Sequence, residues 1–184
     1  SNRYLEGAVV LWPPNHRYTS GYRQAVQEGV KFYNEHDIKP IHKLRSNFSV
    51  RRLHRYLVET GIETEGPHVL IHDMGHPTGW PMDQNPWSPV EMIASLEQTK
   101  HRFSDDTVIG VYSGNRNWMP VTMMAILLGV DVVRVGIEDV YWMYPRKDDI
   151  ARRNIDIVRK ITGFCERIGR EIAFELARCG ADVA

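Results

Sequence analysis

This sequence predicts a parallel α/β fold built as one block. Three observations carry that expectation. Five short apolar runs, rich in Val and Ile and bounded by turn residues, recur along the chain. Stretches with apolar residues at helical spacing alternate with them. No Ser/Gly-rich linker, low-complexity segment or internal break divides the 184 residues, a length that suits a single domain with a real core. Such alternation predicts a parallel sheet with right-handed crossovers.

The strands expected are Gly7–Trp12 (GAVVLW), Ile38–Leu44 (IKPIHKL), His68–Asp73 (HVLIHD), Thr107–Tyr112 (TVIGVY) and Val130–Gly136 (VDVVRVG). Runs apolar throughout fit strands covered on both faces. The first helix, Tyr22–Glu35, stripes Ala25, Val26, Gly29, Val30 and Tyr33 on one side. The second, Ser49–Thr60, carries Val50, Leu53, Leu57 and Val58. Ser88, Pro89 and Glu91 read as an N-cap, a first-turn proline and a first-turn acid. That helix runs to about Arg102, with Ile93 and Leu96 inward. Pro120–Leu128 is ended by Gly129. Asp149–Cys165 stripes Ile150, Ile157, Val158 and Ile161, and a last helix covers Arg170–Arg178.

Two architectures accommodate this order. One is a five-stranded doubly wound sheet. The other is part of an eight-stranded (β/α) barrel, which takes roughly 250 residues when whole. In the second case about three βα units precede those seen here. Alternation alone does not choose between them.

Composition narrows the function classes. Lys plus Arg and Asp plus Glu both number 23, so the formal net charge is zero. A nucleic-acid binder would carry a basic excess. A membrane-surface protein would carry a polybasic patch. The longest apolar run, MMAILLG, is far too short to span a bilayer. Nothing at the N-terminus resembles a signal peptide. Cys165 and Cys179 are two lone cysteines, read as structural residues of a reducing compartment. A soluble, cytoplasmic protein is the expectation.

In both architectures the chemistry sits at the C-terminal ends of the strands. The fifth end is the richest, with Arg134 in the strand, then Gly136, then Glu138 and Asp139. An Arg in a buried run demands a partner. Adjacent carboxylates can divide roles, one as a metal ligand and one as a base. The plainer reading pairs Arg134 with Glu138 structurally and leaves Asp139 to cap a turn. His72, Asp73 and His76 follow the third strand at a metal-like spacing, but in a Gly/Pro loop rather than a helix. Ser113, Gly114, Asn115 and Arg116 follow the fourth, where a Gly-containing turn into a helix can cradle an anion. His42 and Arg45 flank the end of the second strand, facing either the mouth or the underside of a loop. Trp12-Pro13-Pro14-Asn15 closes the first. Trp80, Trp87, Trp118 and Trp142 fall in or beside loops, where they line a pocket or simply pack.

At VRVGIED the sequence resembles a known family. Ala125–Met143 (AILLGVDVVRVGIEDVYWM) is similar to the signature of the β-keto acid cleavage enzymes, of the 3-keto-5-aminohexanoate cleavage type. Ala151–Ala173 (ARRNIDIVRKITGFCERIGREIA) resembles the family's closing segment, and weaker similarity reaches back to about Trp12. The resemblance implies a (β/α)₈ barrel of TIM type, of which residues 1–184 would be one C-terminal domain portion carrying strands four to eight. It implies a divalent metal, zinc as a rule, with acetyl-CoA as co-substrate. A β-keto acid and acetyl-CoA would give acetoacetate and a new CoA ester. Glu138 would be a metal ligand, Asp139 the base or its partner, and Arg134 the group holding that carboxylate or the substrate. Asn15, Ser113 and Asn115 would touch substrate.

The chain also departs from the pattern. The family's His-x-His metal pair lies on an early strand, and no His-x-His occurs here. An acid expected on the second strand is replaced near Lys43 or Leu44, and IAFELAR stands in place of a Thr-Pro turn. One half of a split enzyme, a fragment of a longer protein, and a non-catalytic half-barrel subunit are all compatible with this. The start at Ser1-Asn2, close to a strand, favours the first two. A five-stranded binding protein is the alternative outside the family. A part-barrel would expose apolar residues such as Val9, Leu11, Leu70 and Val133 on its inner face, together with two open edges. We therefore expect a homo- or hetero-oligomer, with strands one to three supplied from elsewhere.

Overall fold

The computed structural model describes residues 7–12, 20–64, 66–75, 88–114 and 116–178. Five strands, β1 (Gly7–Trp12), β2 (Lys39–Leu44), β3 (Val69–Asp73), β4 (Val108–Tyr112) and β5 (Val132–Arg134), form one sheet in the order β1-β2-β3-β4-β5. Every neighbouring pair is parallel. This sequential order has no reversal point, so the doubly wound reading falls and the part-barrel reading stands. All five expected strands are present. The fifth is cut from seven residues to three because Asp131 leaves the strand: its carboxylate accepts from Ile109 N at 2.8 Å.

Helices α1 (Ser20–Glu35), α2 (Asn47–Leu53), α3 (Ser88–Arg102), α4 (Trp118–Leu127) and α5 (Asn154–Arg178) complete the alternation. Helix α2 begins earlier than the apolar stripe suggests, because Ser46 caps it by accepting from Ser49 N at 3.2 Å. It continues as a π-turn over His54–Val58. Helix α4 ends as expected at Gly129, which takes φ 75°. Gly129 N donates to Ile126 O and Val130 N to Ala125 O, a Schellman closure that favours glycine there.

Strand parity separates two faces. Leu44, Leu70, Ile109 and Val111 face the helices. Leu44 and Leu70 pack with Val26, Val30, Val50, Leu53, Leu57 and Phe103. Ile109 and Val111 pack with Met92, Leu96, Val121 and Ala125. The opposite face carries Ile41, Val69, Ile71 and Val132, and none of the described helices packs on it. Gly110 sits on that face because Ile71 fills its place; a Cβ there would lie 2.3 Å from Ile71 Cδ1.

Several expectations are corrected. Leu70 and Val133 share the parity of the helix-covered residues, so they are not the exposed inner-face residues; the side chains of Val9 and Leu11 lie outside the description. In α3 the inward residue is Met92, whereas Ile93 is exposed. Asp149 and Ile150 are not helical. They belong to a hairpin, β6 (Trp142–Tyr144) with β7 (Lys147–Ile150), that the sequence reading missed. The two last helices are one, α5, in which Ile157 is buried and Val158 is exposed. Trp118 is fully buried and donates from Nε1 to Trp142 O at 2.8 Å, so it packs rather than lines a pocket. Cys165 is exposed on α5, not a buried structural residue. Cys179, Trp80 and Trp87 lie outside the described residues.

Candidate functional site at the strand ends

The C-terminal ends of β2 to β5 bring six charged side chains and one tyrosine to the helix-free face. At β5, Arg134 Nε lies 2.9 Å from Asp139 Oδ2 and its NH2 lies 3.0 Å from Glu138 Oε2. The turn that returns both acids to Arg134 is built locally. Gly136 O accepts from Asp139 N at 3.0 Å and from Val140 N at 2.9 Å. Asn154, the first residue of α5, accepts from Ile137 N at 2.9 Å. Its carboxamide oxygen would stand 3.2 Å from a Cβ at position 136, which makes glycine the fitting residue there.

The two acids differ in environment. Asp139 is 10% exposed and Glu138 is 86% exposed. Burial raises the Asp139 carboxyl above its ordinary value. Arg134 opposes that shift and Glu138 adds to it. Glu138 projects from the sheet's β5 edge, paired with Arg134 yet open to a further partner.

Tyr112, the last residue of β4, stands opposite Asp73 on β3 and Arg134 on β5. The Arg134 guanidinium lies 5.3 Å from the ring centroid and Lys43 Nζ lies 4.4 Å from it. Burial first, and then the adjoining Asp73 carboxylate, hold its phenol far above the ordinary value, so it stays protonated. Asp73 is sealed from solvent. Lys43 Nζ approaches its Oδ2 at 3.5 Å and Arg45 Nε at 3.3 Å.

His72 is one residue from Asp73 but faces the other way. Its Nδ1 lies 3.1 Å from Ser95 Oγ and its Nε2 lies 3.2 Å from Thr99 Oγ1, both on α3. It therefore cannot join Asp73 around one ion. His42 likewise faces the helix side, against Glu63, whereas Arg45 faces the mouth. Ser113 is buried just beyond β4, and its Oγ has no hydrogen-bond partner among the described residues. Asn15, His76 and Asn115 lie outside the description. Arg116 pairs with Asp148 of the hairpin and lies 4.4 Å from the Trp142 ring centroid, so it is committed to β6–β7.

Three members of this constellation escaped the sequence reading: Lys43, Tyr112 and Asn154. Parity gives only a partial signal for the first two. Alternation within β2 and β4 puts Lys43 on the face of Ile41 and Tyr112 on the face of Gly110, but it takes the register between strands to bring them beside Asp73 and Arg134. Asn154 has no such signal, because its role depends on where α5 begins in space.

A helix-backed sheet of sequential parallel strands, with ionisable residues gathered at the C-terminal strand ends, is an α/β architecture consistent with part of a (β/α) barrel. Residues 11–177 match the family model BKACE, beta-keto acid cleavage enzyme, and the chain belongs to that family. Two solved structures resemble it. "Apo structure of ObcA" superposes with a TM-score of 0.57 at 15% identity, covering 90% of this chain and 41% of that one. "Binary complex of ObcA with oxaloacetate" gives a TM-score of 0.53 at 15% identity, covering 97% and 43%. At that identity the likeness shows the fold, and this chain spans less than half the length of either structure's chain. No curated protein sequence matches significantly. Among the described residues no helix is long and apolar enough to cross a membrane.

Proposed function

We propose that this chain is the C-terminal part of a metal-dependent β-keto acid cleavage enzyme. The reaction would take a β-keto acid and acetyl-CoA to acetoacetate and a new CoA ester. The single observation that carries the reading is the Arg134–Asp139–Glu138 arrangement. It sits at the end of β5, beside a helix-free face, in a chain that belongs to this family.

Asp139 suits the base, because its burial raises its proton affinity towards that of a useful proton acceptor. Arg134 fixes its orientation and opposes the effect of burial on its proton affinity. Tyr112, held protonated, is a hydrogen-bond donor at the centre of the face. Ser113, Asn15 and Asn115 remain the proposed substrate contacts. A divalent ion, zinc in this reading, would polarise the keto oxygen when bound. Among the described residues no group of three His, Cys, Asp or Glu side chains comes together to hold one. This chain therefore offers one ligand, the exposed Glu138 carboxylate, and the others would come from strands one to three. Those strands would be supplied by another chain or by the remainder of a longer protein, in a homo- or hetero-oligomer.

The test uses the full protein carrying this chain. Incubated with zinc, acetyl-CoA and a panel of β-keto acids, it should form acetoacetate, read by coupled reduction with NADH. Asp139→Asn should lower kcat about 100-fold or more, the contribution of a positioned base, with KM little changed. Absence of acetoacetate across the panel, or an unaltered rate in Asp139→Asn, overturns the reading.

A further inference from the structure

We infer that Lys43 and Arg45, gathered by Asp73, form a carboxylate-binding pole on the β2 side of the strand-end site, where the substrate's carboxylate docks. The inference rests on the β-keto acid reading and adds two residues and an orientation to it.

Charge is distributed unevenly across the mouth. On the β5 side one cation, Arg134, is faced by two carboxylates, Glu138 and Asp139. On the β2 side two cations, Lys43 and Arg45, share the single carboxylate of Asp73. The first cluster has a surplus negative charge and the second a surplus positive one. Arg134 is already held by two acids, so it orients Asp139 and is not the group left to receive an anion.

The donors on the β2 side are not used up. Arg45 Nε is shut off from solvent and, among the described residues, makes no hydrogen bond of normal geometry despite lying 3.3 Å from Asp73 Oδ2, while the Asp73 carboxylate is also engaged by the Tyr112 hydroxyl. A lysine offers three donors and an arginine five. Both side chains are largely withdrawn from water, Lys43 to 19% and Arg45 to 18% exposure, so an arriving anion meets weakly screened charge. Lys43 is the next-to-last residue of β2 on the same face as Ile41 and lies against the Tyr112 ring. That depth fits a small carboxylate better than the bulky phosphates of coenzyme A. Arg134 lies against the same ring. One tyrosine therefore separates the pole that would hold the carboxylate from the base that would act on the neighbouring carbon.

Calorimetric titration of the full protein with acetoacetate, and separately with coenzyme A, tests this without turnover. Lys43→Met and Arg45→Met should each weaken acetoacetate binding about tenfold, as expected for a lost charge-assisted hydrogen bond, and leave coenzyme A unchanged. Arg45→Lys should restore most of the affinity. Asp73→Asn should tighten acetoacetate binding, because two cations lose their shared counter-charge; a purely structural ion pair would not give that sign. Unchanged acetoacetate affinity in the Met variants overturns the pole. So does weakening of coenzyme A instead, or an Asp73→Asn variant that binds acetoacetate less well. A protein that shows this binding pattern but forms no acetoacetate overturns the function alone. One that turns over without the pattern overturns the pole alone.

Discussion

Glu63 and Asp139 are both shielded carboxylates, and their surroundings move them in opposite directions. Glu63 Oε2 lies 2.7 Å from His42 Nε2 and its Oε1 lies 3.2 Å from His68 Nδ1, all three residues being buried on the helix side of the sheet. Burial alone would raise its pKa. The hydrogen bonds and charge of the two imidazoles outweigh that and hold it at about 2, down from 4.5. A depressed carboxylate stabilises the fold above its unfolded value and loses that contribution as pH falls from 4.5 towards 2. Asp139, with one arginine against burial and a second acid, goes up. The first is thus fitted to hold structure, and the second is left with the higher proton affinity. Replacing Glu63 with Ala removes the acceptor both imidazoles share. Denaturant unfolding should show a loss of about 2–4 kcal/mol. A change below about 0.5 kcal/mol, the scale of surface substitutions, would remove Glu63 from the core network. No motif announces this trio. Its members lie on β2, in the α2–β3 connection and just before the start of β3, and only the fold joins them.

At the scale of one element, β3 serves both layers through its pleat. Asp73 goes to the mouth and His72 to α3. The Thr99 Oγ1 lies 3.0 Å from Ser95 O and 3.2 Å from His72 Nε2, and the Ser95 hydroxyl lies 3.1 Å from His72 Nδ1, so two hydroxyls from α3 satisfy a neutral ring. Burial lowers the His72 pKa to about 3 from 6.5. The unfolded chain therefore takes up this proton first as pH falls, and stability declines below about 6.5 until about 3. Between pH 6.5 and 5, above the Glu63 window, the unfolding free energy should fall with a slope that steepens from about 0.7 towards about 1.4 kcal/mol per pH unit. His72→Gln should flatten that slope. A wild-type curve level over this range would show His72 reachable by protons in the folded state. Two elements were misread for physical reasons. Strand β7, KDDI, is exposed throughout and has no alternation to betray it. Helix α5 was divided near Gly169, yet Gly163 and Gly169 keep helical geometry with open space around them. A glycine inside a helix costs roughly 1 kcal/mol but does not end it.

For the whole molecule, the open sheet sets the behaviour. Among the described residues, strands β1 and β5 are edges, and Ile41, Val69, Ile71 and Val132 lie on a face that no described helix covers. Unpaired edges and a broad apolar face invite another chain. Expressed alone, the 184 residues should associate or bind a hydrophobic dye, and should become compact when a chain supplying three further βα units is added. Light scattering coupled to size exclusion reads this directly. A monomer that unfolds cooperatively, binds no dye and ignores the added chain would refute the part-barrel.

The sequence by itself determined the strand–helix alternation, the parallel class and the family, because periodicity and the VRVGIED run are local properties of the chain. It also placed Arg134, Glu138 and Asp139 at one strand end, since they lie within six residues of each other. It did not determine which of the two carboxylates is shielded. That follows from the turn that Asn154 closes, fifteen residues beyond Asp139. Nor did it reveal that Lys43, Asp73 and Tyr112 share a face with Arg134. Parallel register sets Tyr112 beside both Asp73 and Arg134, residues far from it along the chain, and neither register nor burial is written in any short stretch of sequence. The charges of the site could be read from the chain, but which of them neutralise one another was decided only when the strands came together.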